Sequence, residues 1–155
     1  MNTRAEIALE GFCVRLDDFL VACHELDASG KWDIDTHGYM AAYFQSDLFA
    51  VLLQIMSADG VFERTEAEVL NRMLSSSYTP RELSSMYKSL GPVVDDYCDD
   101  EAPDAVELLA KIDEKMCEEY RGLILDACNI VSLADGVAER DERALIEKLR
   151  IALER

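Results

Sequence analysis

Positive charge is what this chain most lacks. Fifteen lysines and arginines stand against 32 acids, a formal net charge of −17. A field of that sign repels phosphate backbones and anionic lipid headgroups, so nucleic-acid binding and membrane-surface binding are both excluded as expectations. What it attracts is cations and basic proteins, and it also keeps the chain in solution. Proline is nearly absent, at three residues, and half the residues are apolar, so a folded body is expected over most of the length. No run approaches the ~18 apolar residues of a membrane span. The opening MNTRAEIALEGF holds Glu6 and Glu10 and no apolar stretch, unlike a signal peptide. A cytoplasmic location is expected.

The chain also lacks the pairings that would give its five cysteines a job. There is no CxxC, the number is odd, and only His24 and His37 are on hand to complete a zinc site, at no suitable spacing. Cys13, Cys23, Cys98, Cys117 and Cys128 mostly fall among apolar residues at helical spacing and read as reduced core thiols. Ser-His-Asp, Cys-His and phosphate-loop arrangements are missing too, and no organic cofactor is expected. His24 lies near an apolar stripe and reads as structural.

Strand alternation fails everywhere, whereas helical periodicity succeeds in six or seven segments. Residues 3–28 carry Ile7, Phe12, Leu16, Phe19 and Cys23 on one stripe of a long helix, with Asn2 or Thr3 as cap, Glu6 as its capping-box partner and Ser29-Gly30 as its end. Trp32 and Ile34 in the linker are expected to fold back onto the core. A second helix spans about Tyr39 to Ser57 and a third about Glu63 to Ser76. Thr79-Pro80-Arg81-Glu82 is a strong helix start, and Gly91-Pro92 is expected to stop that helix. The segment 95–107 is the most acidic. It reads as a solvated loop and helix start, with a dedicated cation patch as the other reading. Helices resume near Pro103 and run to about Leu133, with a break near Lys115–Glu118; the last covers about Arg140 to Leu153. The length suits one domain, 1–155, folded as an all-α bundle of about seven helices.

One stretch occurs twice. Ala58–Glu66 reads ADGVFERTE and Ala134–Glu142 reads ADGVAERDE, 76 positions later, with seven of nine residues identical. Class similarity extends outward: Phe44, Leu48 and Leu52 fall on Tyr120, Ile124 and Cys128. The chain thus contains two helix–turn–helix halves of one design, about 38–76 and 114–153. In each, Asp, Gly and a Glu six positions later reproduce the second half of a calcium EF-hand loop. The first half is absent, because Ile55 and Ser57 in copy one, and Val131 and Leu133 in copy two, occupy the earlier ligand positions. Calcium takes about six to eight oxygens, so neither turn suffices alone. Two readings remain open. All these residues can be turn architecture, with Gly60 and Gly136 as helix stops, Asp59 and Asp135 bonded to local N–H groups, and Glu66 and Glu142 serving the next helix start. Alternatively the two turns face each other, and Asp59, Glu66, Asp135 and Glu142, with Glu63 and Glu139, share one divalent cation, calcium first and magnesium second.

An apolar helix, ADG-V, Glu three later, Glu three more and another apolar helix, present twice over about 38–153, resembles the tellurite-resistance protein TerB and TerB-like domains. The resemblance implies about seven helices in pseudo-twofold halves. It also implies a cytoplasmic bacterial protein, with no demonstrated enzymatic activity, associated with tellurite resistance, other chemical stress or phage defence. The family's acidic motif residues, suspected of binding metal, correspond to Asp59, Glu66, Asp135 and Glu142. One departure is glutamate at 63 and 139, where Ser, Thr or Asp would cap better. The expectation is a non-enzymatic stress protein that binds a divalent cation through the paired turns. The alternative is an interaction module whose acidic face docks a basic protein, the turns being structural. Self-association is left open.

Overall fold

The structure is a computed structural model that describes residues 3–58, 60–134 and 140–154, and of 91–94 the backbone alone. Its elements are α1 (Thr3–Ser29), the single turn α2 (Ile34–His37), α3 (Met40–Ser57), α4 (Arg64–Leu74), α5 (Pro80–Val94), α6 (Tyr97–Ala110), α7 (Glu114–Ser132) and α8 (Arg140–Leu153), with no strand among the described residues. The chain is therefore all-α, as its periodicity predicts, with seven longer helices and one short turn among those residues.

Local chemistry accounts for most of the boundaries. Gly30 ends α1 with φ +78°, a conformation that side-chain-bearing residues rarely adopt. Thr79 and Glu82 start α5 with a reciprocal capping box: Glu82 N–H donates to Thr79 Oγ1 at 3.1 Å, and Thr79 N–H to Glu82 Oε1 at 3.1 Å. Trp32 folds back as expected, 2% exposed, its indole N–H donating to Gly38 O at 2.8 Å.

Several boundaries differ from the sequence reading. The α5 helix carries through Gly91-Pro92 to Val94. Next, α6 starts at Tyr97, inside the acidic segment, and holds Pro103 in its middle. The break before α7 falls at 111–113, where the Asp113 carboxylate accepts from Met116 N–H at 3.1 Å. An aspartate cap marks that break rather than a glycine. Glu6 does not close a capping box but pairs with Arg72 at 2.8 Å, tying α1 to α4. His24 is exposed rather than packed into the stripe beside it.

The helices pack as two related sets. α3 lies against α7; α1 packs on α3, α4 and α7, and α6 packs on α7, α8 and α3. Exchanging α1 with α6, α3 with α7 and α4 with α8 leaves this pattern of neighbours unchanged. The repeated unit is thus three helices, not two, because the helix before each motif helix plays the same part in both halves. Phe44 and its counterpart Tyr120 meet at the centre, ring centroids 4.8 Å apart and edge to face, with Phe19 stacked on Tyr120 at 5.1 Å.

Candidate functional site

In copy one, the apolar run of α3 ends at Ser57, whose hydroxyl donates to Gln54 O at 2.8 Å. The turn then tightens: Ala58 N–H donates to Ile55 O at 3.2 Å and Gly60 N–H to Ser57 O at 2.9 Å. Gly60 has φ +79°, the left-handed terminus that its position predicts. Glu63 is extended, at φ −73° and ψ +147°, and α4 starts at the next residue. Glu66, third in that helix, is 3% exposed, and its Oε1 accepts from Glu63 N–H at 3.3 Å. This is the return half of a capping box, so the turn-architecture role of Glu66 is present in the structure.

Copy two repeats what can be compared. Ala134 N–H donates to Val131 O at 3.2 Å, the counterpart of the Ala58 bond. α8 begins at Arg140 and places Glu142 third, 2% exposed, as Glu66 is third in α4. Of the six candidate ligands, Glu63, Glu66 and Glu142 are placed by the structure; Asp59, Asp135 and Glu139, like Gly136, lie outside the described residues. Among the described residues, no group of three or more His, Cys, Asp or Glu is gathered as a metal ion would need. The helices that lead into and out of the turns belong to one packed unit: α3 contacts α7 and α8, and α4 contacts α7. The donors on offer are carboxylates, hard oxygen ligands that suit calcium or magnesium rather than thiophilic metals.

The cysteines offer no reactive thiol. Cys23, Cys98, Cys117 and Cys128 are buried, and Cys13 is half-buried. Burial pushes Cys23 and Cys98 up to about 12 and Cys128 well above its ordinary value, so the thiolate is scarce at neutral pH.

Sequence reasoning missed a second polar centre. Asp47, the one acid in α3, is 2% exposed. Tyr97 of α6 donates to its Oδ1 at 2.6 Å, and Tyr120 of α7 donates to its Oδ2 at 2.5 Å. Tyr120 Oη also lies 3.2 Å from Phe44 O. Burial, with a smaller contribution from Glu101, raises the Asp47 carboxyl to about 6 against the two phenol bonds that hold it down. The same burial, with Asp47 alongside, raises both phenols. The centre is asymmetric by construction, since the position matching Asp47 in copy two is Leu123 and the one matching Tyr120 in copy one is Phe44. Gln54 makes a similar link: its amide donates to Asp95 O at 2.6 Å and accepts from Cys98 N–H at 2.8 Å, fixing the start of α6. An acid and an amide inside an otherwise apolar helical stripe were the available signals.

No helix among the described residues is long and apolar enough to cross a membrane. Neither a curated protein nor a solved structure gives a significant match to the chain. A family model, described as tellurite resistance protein TerB, matches residues 45–154.

Proposed function

This chain belongs to the tellurite resistance protein TerB family, and from that premise we propose that it is a non-enzymatic, cytoplasmic stress protein of the tellurite-resistance type that binds one divalent cation, calcium first, through its paired acidic turns. The observation that carries the reading is the matched burial of Glu66 and Glu142, at 3% and 2% exposure, each at the third position of the helix after its turn. Burying a carboxylate is costly unless hydrogen bonds or an opposite charge compensate it. Glu66 has the Glu63 N–H, and a cation between the turns would add to such bonds. A chain of net charge −17 that places two acids this way, beside turns carrying further acids, gains from a cation.

Each turn alone offers too few oxygens for calcium, so the duplication is functional in this reading: Asp59, Glu63 and Glu66 from one turn join Asp135, Glu139 and Glu142 from the other, and water completes the shell. Calorimetric titration of calcium tests it. One ion per chain is expected, and Asp59→Asn/Glu66→Gln should abolish binding as completely as Asp135→Asn/Glu142→Gln. Glutamine keeps an oxygen for the cap, which separates loss of a ligand from loss of the turn. Two independent ions, each lost with its own turn, would contradict the shared site. No saturable binding would leave the turns structural and the acidic surface as a docking face for a basic protein.

A further inference from the structure

A cavity of about 470 Å³ opens where α6 passes the junction of α2 and α3. Its α3 floor is made of small side chains, Ala42, Ser46 and Ala50, on successive turns. Its walls are the rings of Tyr39, Tyr43 and Tyr97, and three carboxylates line it: Asp47, Glu101 and Asp104. Among the described residues the lining holds one histidine, His37, and no lysine or arginine. Asp47, Glu101 and Asp104 line the one cavity beside Tyr43, whose hydroxyl is raised first by burial and then by these three acids. Asp47 is 2% exposed, so its charge is set into the wall rather than dispersed in solvent, and its two phenol bonds fix its direction. Tyr39, by contrast, is 66% exposed at the rim, a large apolar face with no evident packing role.

Three carboxylates against a single histidine, His37, leave the lining acidic on balance and disfavour an anion. A neutral ligand would leave their mutual repulsion in place. A strongly hydrated metal ion gains little from phenol faces, whereas an alkylammonium gains twice: its charge from the acids and the ring faces, and its methylenes from apolar contact. We propose that this cavity binds a primary alkylammonium, its nitrogen held by Glu101 and Asp104 in front of Asp47 and its carbon chain laid along Tyr39 and Tyr43. The chemistry is shared by a free diamine or polyamine and by a lysine side chain of another protein. The cavity has no residue in common with the paired turns, so the calcium result neither supports nor weakens it.

The chain's single tryptophan supplies a readout, because Trp32 packs on Tyr43 with ring centroids 5.2 Å apart. The probes are 1,5-diaminopentane, spermidine and an oligolysine peptide, followed by calorimetry and Trp32 fluorescence at fixed ionic strength, with 1,5-pentanediol as the uncharged control. Saturable binding of a free amine that also changes the fluorescence is expected, with no response to the diol. Binding of free amines alone assigns the site to small polyamines; binding of oligolysine as well admits a protein lysine. Glu101→Gln/Asp104→Asn should weaken binding at least tenfold, and Tyr39→Ala severalfold. Asp96→Asn/Asp100→Asn removes the same charge from exposed positions of the same region outside the cavity, and should change affinity less than twofold. The proposal is overturned if no amine binds saturably, if the diol binds as well as the diamine, or if the two double variants weaken binding equally.

Discussion

At the scale of single residues, Asp47 shows how an acid can be buried and still be useful to the fold. Its carboxylate joins α3 to α6 through Tyr97 and to α7 through Tyr120. Because burial raises its folded pKa to about 6 from an ordinary 3.8, the folded state holds a proton that the unfolded state has released in between. Its contribution is therefore fully present below pH 3.8 and is lost as pH rises through about 6. Measured against Asp47→Asn, in which the other carboxylates cancel, the wild type should lose about 3 kcal/mol of stability across that window. Denaturant unfolding of both proteins at pH 4 to 7 checks this; a constant difference would contradict it. Tyr120→Phe removes a donor from a buried carboxylate and should cost about 1–3 kcal/mol at neutral pH. It should also move the inflection of the same curve to higher pH, because the lost bond favours the charged form. Asp47 was hard to find in the sequence because its partners are 50 and 73 residues away, and nothing in helical periodicity reports which side chain meets which.

Elements were legible where one local rule decided them. Thr79 with Glu82, Gly30 and Gly60 all do what their positions predict, and each can be tested by a single substitution. Gly60→Ala forces a side chain into φ +79° and should lower stability by about 1 kcal/mol or more. Among the described residues no atom lies within 4 Å of where the new Cβ would sit, so the cost expected there is conformational rather than steric. Thr79→Ala removes one arm of the α5 cap and should cost about 1 kcal/mol. Urea titration of the two variants measures both, and an unchanged Gly60→Ala protein would mean that the turn does not need its left-handed residue. Elements were misread where a glycine or proline did not decide the boundary. Gly91-Pro92 looked like a stop but lies within α5, and Pro103 looked like a start but lies inside α6. The true beginning of α6 is held by Gln54, 41 residues before Asp95, through bonds that no local window contains.

At the scale of the molecule, the 76-residue spacing of the ADG turns made the duplication plain, yet only the packing shows that α1 and α6 extend it to three helices a side. Those two helices share position rather than motif, which is why comparing the two copies did not pair them. The acidity also acts at this scale. A net charge of −17 on one small body is self-repulsive, so raising sodium chloride from about 10 to 300 mM, across which the Debye length falls from ~30 Å to below 8 Å, should raise the melting temperature. A calcium effect has to be read at constant ionic strength for that reason. The deciding measurement is the melting temperature of the wild type and of Asp59→Asn/Glu66→Gln/Asp135→Asn/Glu142→Gln, each with a chelator and with calcium, at matched ionic strength. With free calcium at about 100 times its dissociation constant, the wild type should gain about 2.7 kcal/mol, roughly 5–10 °C for a domain of this size. The fourfold variant should melt at the same temperature with chelator and with calcium. If the wild type also melts alike in both, or if the variant keeps the full rise, the paired turns are not a cation site.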